Sequence, residues 1–279
     1  VMQTLYGNRH YRSHLERRNR HQTIMLGFSD GTKDGGYVAA NWKILKTKRE
    51  LTQLSKDHGV DLTFFDGRGG PPGRGGGNTH RFYRSLGDDV ANERMHVTVQ
   101  GQTISSKYGT KAAAGHNIGQ IVSAGILNGV FPEETEPIGA DHVQLLDHLA
   151  GDSLESYMEL REDPSFLPFL ENITPLMYYG RTNIGSRPSS RNQEELSLNS
   201  LRAIPFVGAW SQMKMNVPGY YGLGTALARA LDRGQESSLR ELYRSSLFFR
   251  TLLDNSMQSL SKTHFSLTSY LSDDPSYGS

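Results

Sequence analysis

Apolar and polar positions follow a repeating rhythm through the first third of the chain. Residues 23–29 (TIMLGFS) form a short apolar run of strand length, and 60–65 (VDLTFF) form a second. Between them Val38, Trp42 and Leu45 recur at i, i+4 and i+7, and Leu51 and Leu54 prolong the stripe, so 37–58 predicts an amphipathic helix. Gly59 stands where such a helix would stop. Residues 30–36 predict a polar, glycine-containing turn. Strand, turn, helix and strand make a βαβ unit, which implies parallel pairing and a right-handed crossover. Residues 94–101 (RMHVTVQG) alternate as a third strand would. Further on, 111–128 predicts an alanine-rich helix, and 142–161 predicts another with its acids towards solvent. Residues 182–188 (TNIGSRP) and 203–207 (AIPFV) are short and suit a further strand and turn, and 210–271 is mainly helical in pattern. The expected class is α/β, as a TIM-type barrel or a doubly wound sheet carrying extra helices.

Composition narrows the function. The 279 residues carry a net charge of +1, with aromatics throughout, which suits a globular protein and not a disordered chain. A mean hydropathy of −0.54 and the lack of a long apolar run argue against a membrane span. With no cysteine, disulfides and thiolate metal sites are excluded, but the compartment is not fixed. The first residue is Val1, and 1–5 reads like the middle of an element, as in a segment of a longer protein. Residues 272–279 read as a frayed or cut end. The basic stretch 9–21 reads as a solvated helix face in preference to a polyanion site. His10 and His14 have helical spacing, but no glutamate follows the first, so the zinc-protease pattern is absent. Neither a Gly-x-Ser-x-Gly elbow nor a Walker loop occurs.

Three segments after expected strands bear chemistry, and α/β folds gather sites at the carboxyl ends of strands. In GFSDGTKDGG (27–36), Asp30 offers a hard oxygen to Mg²⁺ or Mn²⁺, and Lys33 offers a point charge to a phosphate or enolate oxygen. An ordinary turn is the plain alternative. In DGRGGPPGRGGGNTH (66–80), Arg68 and Arg74 sit among seven glycines. Ordering such a loop costs backbone entropy, and guanidinium forks match phosphate, carboxylate and bicarbonate. A flexible linker and an RNA-binding arginine–glycine segment are the alternatives. Repeated units would mark the latter, and this loop is single. Finally, Arg187 and Arg202 each stand among apolar or small residues, where a buried arginine needs an anion or a structural partner. From the residues alone, the sum is a cationic, oxygen-metal site for a small phosphorylated anion.

These segments resemble known blocks. GFSDGTKDGG is similar to the Gly-Tyr-Ser-Asp-Ser-x-Lys-Asp-x-Gly segment of phosphoenolpyruvate carboxylases. FFDGRGGPPGRGGGNTH (64–80) resembles their Phe-His-Gly-Arg-Gly-Gly signature, and VTVQGQTISSKYG (97–109), IGSRP (184–188) and SLRAIPFVGAW (200–210) resemble later blocks in the family's order. The resemblance weakens after about residue 225. It implies a helix-decorated TIM-type barrel, with 1–225 giving its later strands and loops and 226–279 an incomplete helical region. It implies carboxylation of phosphoenolpyruvate by bicarbonate to oxaloacetate and inorganic phosphate, with Mg²⁺ or Mn²⁺, in a cytoplasmic homotetramer without nucleic-acid or membrane partners. By position, Asp30 would bind the metal, Lys33 would steady developing charge, and Arg68 would hold the phosphate. Arg74 would steady bicarbonate or carboxyphosphate on a mobile glycine loop, and Arg187 and Arg202 would be further anion anchors. Lys262 falls where the family places a lysine of its inhibitory dicarboxylate site, which also involves Arg74. The family's catalytic histidine, a second metal-binding glutamate and another arginine would lie upstream of Val1, so the segment alone is expected to be inactive and prone to aggregate.

The chain also departs from the pattern. Asp66 stands for the usual histidine, Gln102 for a glutamate and Phe206 for a tryptophan, while Pro71 and Pro72 stiffen the glycine loop. The interval from Arg187 to Arg202 is one residue longer than usual. Asp66 beside Arg68 would neutralise it or accept a different hydrogen bond. A non-catalytic relative that binds a phosphorylated anion is the second reading, and a nucleic-acid module, disfavoured by the balanced charge, is the third.

Overall fold

The computed structural model describes residues 1–99, 102–131, 138–179, 197–198 and 200–271. Helices α1 (Met2–Gly7) and α2 (Arg9–Arg17) precede strand β1 (His21–Leu26). Helices α3 (Phe28–Gly35) and α4 (Tyr37–Asp57) lead to β2 (Asp61–Asp66). A 3-10 turn, Pro72–Arg74, and α5 (Thr79–Arg84) lead to β3 (Met95–Val97). The rest is helical: α6 (Gln102–Tyr108), α7 (Lys111–Val130), α8 (Ala140–Glu162), α9 (Phe166–Asn172), α10 (Leu176–Tyr179), α11 (Ala203–Gln212), α12 (Leu223–Asp232), α13 (Glu236–Ser245) and α14 (Leu247–Ser261). Among the described residues no helix is long and apolar enough to cross a membrane.

The chain is thus a mostly helical α/β protein with a small parallel sheet. The strands lie in the order β1–β2–β3, with Leu26 opposite Asp66 and Asp66 opposite Val97. The carboxyl ends of all three strands therefore meet at one edge, and the glycine-bearing segments leave from that edge. The described strands form an open sheet and not a closed barrel. β2 is central and buried along most of its length, whereas β1 leaves Met25 exposed.

Two local expectations are corrected. Residues 28–35 form helix α3 and not a turn. Phe28 and Thr32 are fully buried, and Phe28 packs edge-on against Phe82 at 5.5 Å, so tertiary contacts outweigh the glycine content. Likewise 203–207 opens helix α11 and is not a strand. Pro205 is its third residue, in the first turn, where no intrahelical N–H bond is lost. The proposed strand at 182–188 lies outside the described residues.

On α4 the buried face runs Val38, Asn41, Leu45, Lys48, Thr52 and Ser55. Its first half is apolar except for Asn41, and its second half is polar. Asn41 donates to its own helix at the Tyr37 carbonyl (2.8 Å), Thr52 accepts from the Ala91 backbone N–H (3.0 Å) and Ser55 meets the Tyr6 hydroxyl (3.1 Å). These bonds satisfy polar atoms that burial would otherwise penalise. The main core joins Phe28, Trp42, Leu45, Phe64, Leu149 and Phe248, so the sheet, α4, α8 and α14 share one interior. A second cluster gathers Phe166, Phe206 and Trp210, with Phe169 stacked on Trp210 at 5.8 Å. The basic stretch 9–21 is exposed apart from buried Leu15 and half-buried Tyr11 and His21, in keeping with a solvated face.

The glycine loop is folded onto itself. The Gly69 N–H donates to the Arg74 carbonyl (3.0 Å), Gly76 to Pro71 (2.9 Å) and Gly77 to Gly70 (2.9 Å). A Cβ on Gly76 would lie 2.1 Å from the Gly70 carbonyl oxygen, which only glycine permits. Gly76→Ala is expected to lower stability by about 3 kcal/mol. Gly115→Ala, on α7 where a Cβ meets nothing within 4 Å, is expected to be neutral or to gain up to about 1 kcal/mol. Paired chemical denaturation curves check both.

Candidate active site

Asp30 lies in the first turn of α3, where a carboxylate suits the positive end of the helix dipole. It is exposed, and its negative charge bears on Arg74. It makes no hydrogen bond or ion pair among the described residues. Lys33, one turn later, is 4% exposed. Its Nζ donates to the Leu198 carbonyl (3.1 Å) and to the Asp34 carboxylate. An ammonium has three donors, so one is left over. The Lys33 carbonyl accepts from the Tyr157 hydroxyl (2.9 Å), and Arg161 donates to the Asp34 carbonyl (2.8 Å), which ties the end of α3 to α8.

Arg68 and Arg74 leave the carboxyl end of β2 on the glycine loop. Both are buried, at 5% and 9% exposed, so each lies within the folded loop and not on its surface. Pro72 starts a 3-10 turn, and the Ser29 hydroxyl donates to the Arg74 carbonyl (3.0 Å), pinning the loop to α3. From the other side, Tyr37 donates to the Gly76 carbonyl (3.3 Å), and Asn255 of α14 donates to Tyr37 (2.9 Å) and accepts from the Asn78 N–H (3.1 Å). Burial pulls the Arg74 pKa down and the charge of Asp30 opposes this. Burial raises that of Tyr37 against the opposing pull of Arg68.

The Arg68 guanidinium lies over the Phe82 ring, 4.2 Å from its centroid, and its Nε donates to the Gly75 carbonyl (3.2 Å). Its Nη2 is buried without a hydrogen-bond partner, and Arg68 forms no ion pair among the described residues. Lys107 of α6 is half-buried nearby. Burial, then repulsion from Arg68, lowers its pKa. Lys107 belongs to a block whose resemblance is plain, but no sequence pattern distinguishes it from any helical lysine. Only the fold sets it beside Arg68.

Arg202 is the residue before α11, and its Nε is buried without a hydrogen bond. Because α11 packs on α3 and on the 3-10 turn, and Lys33 reaches Leu198, the Arg202 segment adjoins those of Asp30, Lys33 and Arg74. Arg187 lies outside the described residues. Lys262 follows the last turn of α14 and lines a cavity of about 670 Å³ with Gly70, Asn78, Arg81, Lys107 and Asn255. Arg74 does not line this cavity, and its backbone carbonyl accepts from Ser29 of α3.

Asp66 is fully buried and does not neutralise Arg68. Its oxygens lie 2.8 and 2.9 Å from Lys48 Nζ, and the Tyr83 hydroxyl donates to it (3.1 Å). Burial lowers the Lys48 pKa, with Asp66 opposing and Arg68 adding to the fall. Burial, then Asp66, pushes that of Tyr83 far up.

As to a metal, Asp30 fits as one hard oxygen ligand because it is exposed and unengaged. Mg²⁺ commonly takes one or two carboxylates together with water and substrate oxygens. Among the described residues no cluster of three histidine, aspartate or glutamate side chains surrounds a point.

Fold and site define a predominantly helical α/β protein that collects cationic side chains at the carboxyl edge of a parallel sheet. The chain belongs to the phosphoenolpyruvate carboxylase family, whose model matches residues 1–275. A phosphoenolpyruvate carboxylase of Xanthomonas oryzae pv. oryzae is 40% identical over 262 residues, which cover 94% of this chain and 29% of that protein. Enzymes of the same name from Corynebacterium diphtheriae and Rhodothermus marinus are 36% and 37% identical, covering 98% and 96% of this chain and 31% and 29% of theirs. The chain therefore spans less than a third of these relatives' length.

The depressed pKa of Lys107 makes more neutral amine available at mildly alkaline pH than an ordinary lysine has. Acetylation mapped by mass spectrometry is expected to modify Lys107 ahead of exposed Lys43. Added inorganic phosphate should slow that reaction by restoring the charged form.

Proposed function

We propose that this chain contributes the later strands and anion-binding loops of a helix-decorated TIM-type barrel that carboxylates phosphoenolpyruvate with bicarbonate. The products are oxaloacetate and inorganic phosphate. The observation that carries the reading is Arg68: among the described residues, a buried guanidinium with an unpartnered Nη2, next to a second cation and without an acid of its own. A buried donor left unmatched costs free energy, and a phosphate supplies the missing acceptor. The strand order is the sequential one a barrel requires, and the site lies at the strands' carboxyl ends.

In this reading Arg68 holds the substrate's phosphate. Lys33 offers its remaining N–H to the developing enolate oxygen, its stem fixed by Leu198 and Asp34. Arg74 orients bicarbonate and carboxyphosphate from within the folded loop, and Arg187 and Arg202 complete the anion anchors. Bound Mg²⁺ or Mn²⁺, held in part by Asp30, would polarise substrate oxygens. Fixed charges of this kind favour phosphoryl transfer and enolate formation because they need no reorganisation as charge develops. A second metal-binding carboxylate and a proton-carrying histidine come from outside this chain, so the isolated segment is inactive and aggregates through exposed core surface. Lys262 and its cavity receive a dicarboxylate inhibitor, and the whole enzyme is a cytoplasmic homotetramer.

Arg68→Met in the full-length enzyme should lower kcat/KM for phosphoenolpyruvate by about a hundredfold or more, and Asp30→Asn should raise the metal concentration needed for half-maximal rate by a similar factor. Both are read by coupling oxaloacetate formation to NADH oxidation. Wild-type kcat/KM in Arg68→Met would overturn the assignment.

A further inference from the structure

We propose that Lys48 is a positioning residue for the anion site: it engages Asp66 and so leaves the Arg68 guanidinium available to a phosphorylated ligand. The proposal rests on the reading of Arg68 as the phosphate anchor.

The problem it solves begins with Asp66. A carboxylate at the end of β2, two residues before Arg68 and fully buried, is a ready partner for a guanidinium. If Arg68 took it, the two charges would cancel and nothing would remain to attract an anion. The histidine usual at this position in the family poses no such competition when neutral.

The structure gives Asp66 a different partner. Lys48 reaches it from the buried face of α4 and is itself only 2% exposed. Its Nζ sits within 2.9 Å of both carboxylate oxygens and 4.6 Å from the centroid of the Phe64 ring. The Tyr83 hydroxyl takes a further position on the carboxylate. Lys48 and Tyr83 thus both donate to Oδ2 of Asp66, with the Lys48 charge also 2.8 Å from Oδ1, and Arg68 turns instead to the Gly75 carbonyl and the Phe82 face. With the Lys48–Asp66 charges summing to zero, the positive charge of Arg68 is unspent. Arg68 also repels Lys48, so Lys48 is held there by Asp66 and not by any preference for the site.

A structural ion pair is the rival account. Replacing a buried pair by neutral groups of similar volume is often tolerated, whereas removing one partner strands a charge. That asymmetry separates the two accounts. The probe is inorganic phosphate, titrated calorimetrically into the full-length protein with melting temperature recorded for each variant. Lys48→Gln should weaken phosphate binding about tenfold or more, because Asp66 then turns to Arg68. Lys48→Gln combined with Asp66→Asn should recover to within about threefold of wild type, and Asp66→Asn alone should bind no more weakly than wild type. If Lys48→Gln does not fold, the double variant and Asp66→Asn carry the test: retained binding supports the proposal and lost binding overturns it. Wild-type binding in Lys48→Gln, or a folded double variant as weak as the single one, also overturns it. Arg68→Met is the control. If it leaves phosphate binding intact, the anchor assignment itself fails and this proposal falls with it. If it abolishes binding while Lys48→Gln does not change it, only the role of Lys48 is refuted.

Discussion

The closure of residues 67–77 onto itself is the constraint from which the site follows. Gly76 approaches the carbonyl oxygens of Gly69 and Gly70 so closely that any Cβ would collide with them, and Gly75 holds a positive φ against Phe28. Only with those approaches can the 69–74, 71–76 and 70–77 backbone bonds form together. The closed loop then turns Arg74 inward against α3 and leaves the Gly75 carbonyl facing Arg68. Ordering so many glycines costs chain entropy, which α3, α4 and α14 offset through Ser29, Tyr37 and Asn255. The arginines are buried because the loop is packed from three sides.

Charge balance is the second layer. Near the sheet's carboxyl edge, Lys33 meets Asp34, Lys48 meets Asp66, and Arg74 feels Asp30. Arg68 and Lys107 have no such partner among the described residues, and Arg68 raises the cost of charge on Lys107. Folding has thus set an acid beside three of these cations and left an excess of positive charge where an anion would have most effect. In a low-dielectric surrounding, a charge excess of this kind is worth far more than the same charges in water.

Much of the frame was legible in the sequence. The expected strands at 23–29 and 60–65 overlap β1 (His21–Leu26) and β2 (Asp61–Asp66), although 28–29 belong to α3, and the helix between them and the long helices at 111–128 and 142–161 are found as expected. Two segments misled for opposite reasons. Glycine and aspartate in 28–35 suggest a turn, yet Phe28 and Thr32 are fully buried, and α3 forms because its inward face is well packed. In 203–207 the β-like composition and Pro205 conceal a helix start, since proline is harmless in a first turn. The burial of Arg74 was also hidden, because a run of glycines looks the same whether it is loose or tightly folded.

Lys48 was the least legible residue, for a reason that extends beyond this chain. The helical stripe Val38, Asn41, Leu45, Lys48, Thr52, Ser55 keeps its three-and-four spacing while its chemistry changes from apolar to polar. A hydrophobic pattern follows Leu51 and Leu54 instead and drifts off the buried face. Spacing continued past the last apolar residue would have found Lys48 inside. Asp66 was conspicuous as a departure from the family's histidine, and a buried acid requires a cation somewhere in the fold. Searching the buried stripe of the preceding helix for that cation joins the two observations. A substitution that adds a buried charge is best read together with the position that balances it, because removing either partner alone strands the other's charge.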